Sequence, residues 1–166
     1  MIDYSYLYRK LNRRTPLKTD CGIICGGACC KSEDGENEMG MYLFPGEDKM
    51  FKGKGFRIEG SDFSYGEKRA KILFCDGECE RKLRPLSCRI FPLFPYITKF
   101  SELKVIIDKR GSFVCPLCRA ELKYFDHSFV RGVRHIGEII MKDEDGFKFL
   151  YALSRQIDES FFIDKF

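Results

Sequence analysis

Nine of the 166 residues are cysteine, and they fall into three groups. The first is Cys21-x3-Cys25-x3-Cys29-Cys30, the second is Cys75-x3-Cys79 followed by Cys88, and the third is Cys115-Pro-Leu-Cys118. A thiolate is a soft ligand that suits zinc and iron–sulfur clusters. Cysteine also serves as a small buried hydrophobe. That role accounts for one or two scattered thiols, but not for four within the ten residues 21–30. All nine are therefore candidate metal ligands. Zinc is commonly held by two Cys-x2-Cys turns, and only Cys115–Cys118 has that spacing. Gaps of three, with Gly22, Gly26 and Gly27 freeing the backbone, suit an object larger than one ion. An iron–sulfur cubane, [4Fe–4S], is thus favoured over zinc, with both kept open. Neighbouring side chains diverge, so one of Cys29 and Cys30 is expected to ligate. The other then serves a second metal, a redox step or the core.

Compartment and charge bear on the same reading. The longest apolar run, Ile90 to Ile97, is broken by Pro92 and Pro95, so no segment reaches the about 20 residues that span a membrane. The first residues, MIDYSYLYRKLNRR, lack the apolar stretch of a secretory signal. A cytoplasmic location is expected, where thiols stay reduced. Net charge is +4 overall, unevenly placed: residues 65–119 carry 12 Lys/Arg against 6 Asp/Glu, and residues 31–64 carry 5 against 8. The basic stretch contains five of the nine cysteines, and its simplest role is to balance thiolate charge. A nucleic-acid surface is not expected, because no interleaved aromatic motif or recognition helix accompanies it.

The elements that must position these thiols read as an α+β fold: a small single domain over 1–166, with a short antiparallel sheet, a cysteine-rich core and helices at both ends. Residues 3–14 form an amphipathic helix through Tyr4, Leu7, Tyr8 and Leu11, ended by Thr15-Pro16. DCGIICGGACC is too glycine-rich for a regular helix and reads as a ligand loop, followed by an acidic exposed loop, KSEDGENE. MYLF, FRIEG, KILFC and LKVIID read as strands. Glu47 to Phe51 and the residues after Pro85 each give a helical turn. Phe125–Met141 is a helix capped by Asp126 or Ser128, and Phe147–Ile157 is a second, with Asp143, Glu144 and Asp145 in a solvated turn before it.

The order Cys-x3-Cys-Gly-Gly-x-Cys-Cys, then Cys-x3-Cys, then Arg84-Pro85-x2-Cys88-Arg89-x-Phe91-Pro92 resembles the YkgJ-type cysteine-cluster family, a zinc- or iron-chelating domain. MYLFPGE is similar to the apolar–Pro-Gly-Glu stretch between that family's two cysteine blocks. The resemblance covers roughly residues 20–95, with residues from about 119 to 166 as a helical extension. In the family's usual first block both gaps are one residue shorter. The resemblance implies a metal-binding domain. It also brings in flagellin lysine methylases, hence an alternative in which the centre serves S-adenosylmethionine-dependent methyl transfer to protein lysine. No glycine-rich nucleotide fingerprint accompanies that alternative, and Cys21-x3-Cys25-x3-Cys29 differs from the radical-SAM Cys-x3-Cys-x2-Cys.

Other polar residues read more plainly. His127 and His135 belong to the surface or a helix cap, and Arg84 and Arg89 to hydrogen bonds with thiolates and carbonyls. No P-loop, Ser/His/Asp grouping or carboxylate pair stands out. Two function classes follow: a metal-centre protein, such as a carrier, sensor or store, or an enzyme acting on a protein or small molecule. Cys25, Cys29, Cys79 and Cys88 are expected to matter most, with Cys21, Cys30 and Cys75 next and Cys115/Cys118 separable.

Overall fold

The computed structural model describes residues 1–30, 39–75 and 80–163. Helix α1, Tyr4–Leu11, starts where the Asp3 carboxylate accepts from the Tyr6 N–H, and it buries Tyr4, Leu7 and Leu11. Two helices from the far end of the chain, α4 (His127–Ile140) and α5 (Glu144–Ile163), complete the helical layer. Asp126, not Ser128, caps α4, accepting from the Ser128 and Phe129 N–H groups at 2.8 and 3.1 Å. Helix α5 begins earlier than its apolar rhythm implies. Glu144 and Asp145 form its first turn, where the helix dipole favours carboxylates, and Asp143 accepts from the Gly146 N–H.

Two antiparallel sheets face these helices, where one was expected. Strands β1 (Met39–Leu43), β2 (Arg57–Tyr65) and β3 (Lys68–Cys75) form the first in the order β1-β3-β2. Strands β4 (Leu93–Ile97) and β5 (Leu103–Ile107) form a separate hairpin. The two prolines around β4 disguise it as a broken apolar run. A two-stranded ladder leaves each strand one free side, so Pro95 sits opposite Val105 without costing a ladder bond. The Ile97 N–H is satisfied by Ser154 of α5 at 2.9 Å, and that hydroxyl donates to the Leu150 carbonyl.

The main hydrophobic core runs from Tyr4 and Leu7 through Phe44, Leu93 and Ile97 to Phe129, Ile136, Phe149 and Ile157, and Leu43, Phe51 and Leu73 form a smaller second one. The ring of Phe149 lies 5.1 Å from Phe44, 5.3 Å from Tyr65 and 5.8 Å from Phe63, so α5 is an integral wall of the fold. Among the described residues no helix is long and apolar enough to cross a membrane. The acidic stretch 31–38 lies outside the described residues.

Candidate metal centre

The first cysteine block is more ordered than its glycine content suggests. Asp20 accepts from the Gly22 N–H at 3.0 Å and starts one helical turn, α2, Cys21–Cys25. Gly26 and Gly27 then take φ of +63° and +73°, values that favour glycine. This left-handed exit turns Ala28–Cys30 into a tight turn that presents Cys29 and Cys30 side by side. A helical turn followed by a glycine reversal is thus the device that brings Cys29 and Cys30 back beyond the end of α2.

The second block approaches through helix α3, Leu86–Ile90, which carries Cys88. Its start is fixed by Glu47, a residue with no solvent exposure. The Glu47 carboxylate accepts from the Leu86 N–H at 2.6 Å, the Phe44 N–H at 3.0 Å and the Tyr8 hydroxyl at 2.5 Å. One side chain therefore ties α1, the Pro45-Gly46 turn and α3 together. Burial pushes its pKa up to about 7, against the pull of these donors and of Arg89. Sequence reasoning placed Glu47 in a helical turn and missed this role. The signal was the Pro-Gly-Glu turn itself, whose left-handed Gly46 directs the next side chain inward.

Arg89 donates to the carbonyls of Arg84 and Lys82, both at 2.7 Å, and lies over the Tyr8 ring at 4.3 Å. Arg81 donates to the Asn12 and Arg14 carbonyls beyond the end of α1 and also eases ionisation of Cys21. Arg84 does the same for Cys30. Cys29, Cys30, Cys88 and Arg84 line one cavity, so the first block and α3 meet despite their separation in sequence.

The third block lies close enough to the first for its charge to be felt there. Cys115 and Cys118 are buried, and the charge of Cys115 acts on both Cys21 and Cys29. Gly111 lets the third block pack against the end of α3: a Cβ there would stand 2.6 Å from Phe91 and 3.2 Å from the Cys118 sulfur. The thiols fall into two hydrogen-bonded pairs of similar electrostatics. The Cys29 thiol stabilises the Cys30 thiolate, aided by Arg84, and brings its pKa down to about 6. The Cys118 thiol does the same for Cys115, also down to about 6. Cys29 and Cys118 are pushed up as the proton donors of these pairs. Desolvation, with Asp20 close by, raises Cys21.

Cys75 ends β3 opposite Met39 and packs beside Leu43, Phe51 and Leu73. Cys79 lies outside the described residues. His127 and His135 are exposed on α4, with His135 3.4 Å from the Tyr6 hydroxyl and 3.7 Å from Glu138. Among the described residues no three His, Cys, Asp or Glu side chains converge closely enough to hold one metal ion. The donor chemistry is nonetheless that of a soft-metal site: free thiols from separate segments, two disposed to ionise, with arginines beside them. No family model, curated protein or solved structure matches the chain.

Proposed function

We propose that this protein is a cytoplasmic member of the YkgJ-type cysteine-cluster family that holds an iron–sulfur cluster, or zinc, on cysteine thiolates. The candidate ligands are Cys21, Cys25, Cys29, Cys30, Cys88, Cys115 and Cys118, with Cys75 and Cys79 from the neighbouring segment. One observation carries this reading: Cys29, Cys30 and Cys88, from segments more than fifty residues apart, line one cavity, and the charge of Cys115 reaches Cys21 and Cys29. In each hydrogen-bonded pair one thiol, Cys30 or Cys115, is held below the usual thiol range by its partner, which favours the thiolate that binds metal. Arg81 and Arg84 temper the negative charge that several thiolates bring to one place.

A metal bound there would supply electron transfer, if it is iron–sulfur, or a structural cross-link, if it is zinc. The protein's own contribution is to hold the thiols at the junction of α2, α3 and the Cys115–Cys118 turn. Anaerobic purification followed by iron, zinc and sulfide analysis tests the proposal. Iron and acid-labile sulfide in similar amounts, with brown colour, is the expected result. Stoichiometric zinc without sulfide would select the other metal, and neither metal would end the proposal.

A further inference from the structure

A cavity of about 310 Å³ is lined both by the Cys29–Cys30 pair and by residues of the main hydrophobic core. Its size falls at the lower end of the range for small-molecule pockets, so it suits a ligand smaller than a typical drug. Most of the wall is apolar. Phe44, Leu93, Phe94 and Leu153 are buried core residues, and Phe91 and Val114 extend the same surface. Three of these side chains are phenyl rings, which favour another ring packed edge-to-face or offset against them.

Three charged side chains reach the cavity, Arg84, Asp108 and Arg110, and each is already engaged within the protein. Asp108 and Arg110 hold each other in a two-pronged pair at 2.9 and 2.6 Å. Arg84 is partnered as well, and its charge acts on Cys30. Smaller polar groups are committed too: the Cys29 thiol bonds Cys30, and the Ser87 hydroxyl donates to the Tyr42 carbonyl. A charged ligand entering here would give up its water and find no uncommitted ion among these side chains to replace it. A neutral ring loses nothing of the kind and gains the burial of its apolar surface.

We propose that this cavity binds a neutral bicyclic aromatic molecule, its rings packed against Phe44, Phe91, Phe94 and Leu153 and its edge beside Cys29 and Cys30. This goes beyond metal binding, because it rests on the cavity wall and requires no metal. Discrimination comes from exclusion: the committed charges around the cavity offer nothing to a charged ligand and admit an uncharged one.

The test uses the full chain as purified anaerobically, with calorimetric titration of 3-ethylindole, tryptamine and indole-3-acetate, and with metal content measured on the same samples. The three compounds share a ring system and a short side chain, and they differ in charge: neutral, cationic and anionic. 3-Ethylindole is expected to bind saturably and at least tenfold more tightly than either charged compound. Leu153→Phe, which puts a ring into the cavity from α5, is expected to weaken 3-ethylindole at least tenfold with circular dichroism unchanged. Should that variant fail to fold, Met41→Phe fills the same cavity from β1 and carries the test. No saturable binding of 3-ethylindole, a charged compound that binds as tightly, or unchanged affinity in a folded cavity-filling variant would each overturn the proposal. Binding of 3-ethylindole in metal-free samples upholds the cavity while removing the metal-centre reading. Metal without 3-ethylindole binding does the reverse.

Discussion

Glu47 sets the strongest residue-scale constraint, because it is wholly buried and all three of its hydrogen-bond partners are donors. Desolvation still wins and lifts its pKa from 4.5 to about 7. The folded protein therefore keeps this proton over a range where the unfolded chain has lost it. Between about pH 4.5 and 7 the folded state binds more protons, so stability falls as pH rises through that window. A rise of this size corresponds to on the order of 3 kcal/mol. Glu47→Gln removes the titration. Unfolding measured against pH should show the wild type losing about that much relative to Glu47→Gln between pH 4.5 and 8. A wild type that gains on the variant over this range would mean that the three donors outweigh burial.

At the scale of elements, the Cys115–Cys118 turn packs toward Phe91 at the end of α3 through the close contact at Gly111, and the charge of Cys115 reaches Cys21 and Cys29. Cys115→Ser and Cys118→Ser are expected to lower metal content about as much as Cys25→Ser and Cys88→Ser. Metal analysis of the four purified variants checks this; full retention in the first two would restore the turn as a separate unit. The cap of α4 gives a simpler case. Asp126→Ala removes two backbone hydrogen bonds and that of the Ser128 hydroxyl in the first turn, and should cost about 1 kcal/mol in denaturant unfolding.

Much of this layer was legible in the sequence. The apolar rhythm of α1 and α4, the β-branched run of β5 and the Pro85 start of α3 are local signals, and local signals survive folding. Three features were not legible. The α2 turn hid behind three glycines, because a single turn rests on one Asp20 cap and not on propensity. Strand β4 hid behind its prolines, because only the two-stranded topology makes them tolerable. The packing of the third block against the end of α3 depends on the room at Gly111, where a Cβ would meet Phe91, and no spacing rule encodes that.

For the molecule as a whole, the segment leading from α1 into the first cysteine block is held by later parts of the chain. The Asp126 N–H donates to the Pro16 carbonyl at 2.8 Å, and Arg81 donates to the Arg14 carbonyl at 2.8 Å, so the approach to the first cysteine block is anchored by two later segments. A centre spanning these segments closes a loop that contains both sheets. Metal-binding free energy is then folding free energy. Removing the metal with a chelator under reducing conditions should lower the thermal midpoint by roughly 10 °C or more. An unchanged midpoint would mean that the core formed by α1, α4 and α5 stands without it.

The central claim is that cysteine sulfur, and not oxygen or nitrogen, holds the metal. X-ray absorption at the metal edge of the anaerobically purified protein tests it most directly. The account predicts a first shell of about four sulfur neighbours at about 2.3 Å, the separation of metal–thiolate bonds. A first shell dominated by nitrogen or oxygen at about 2.0–2.2 Å would contradict it.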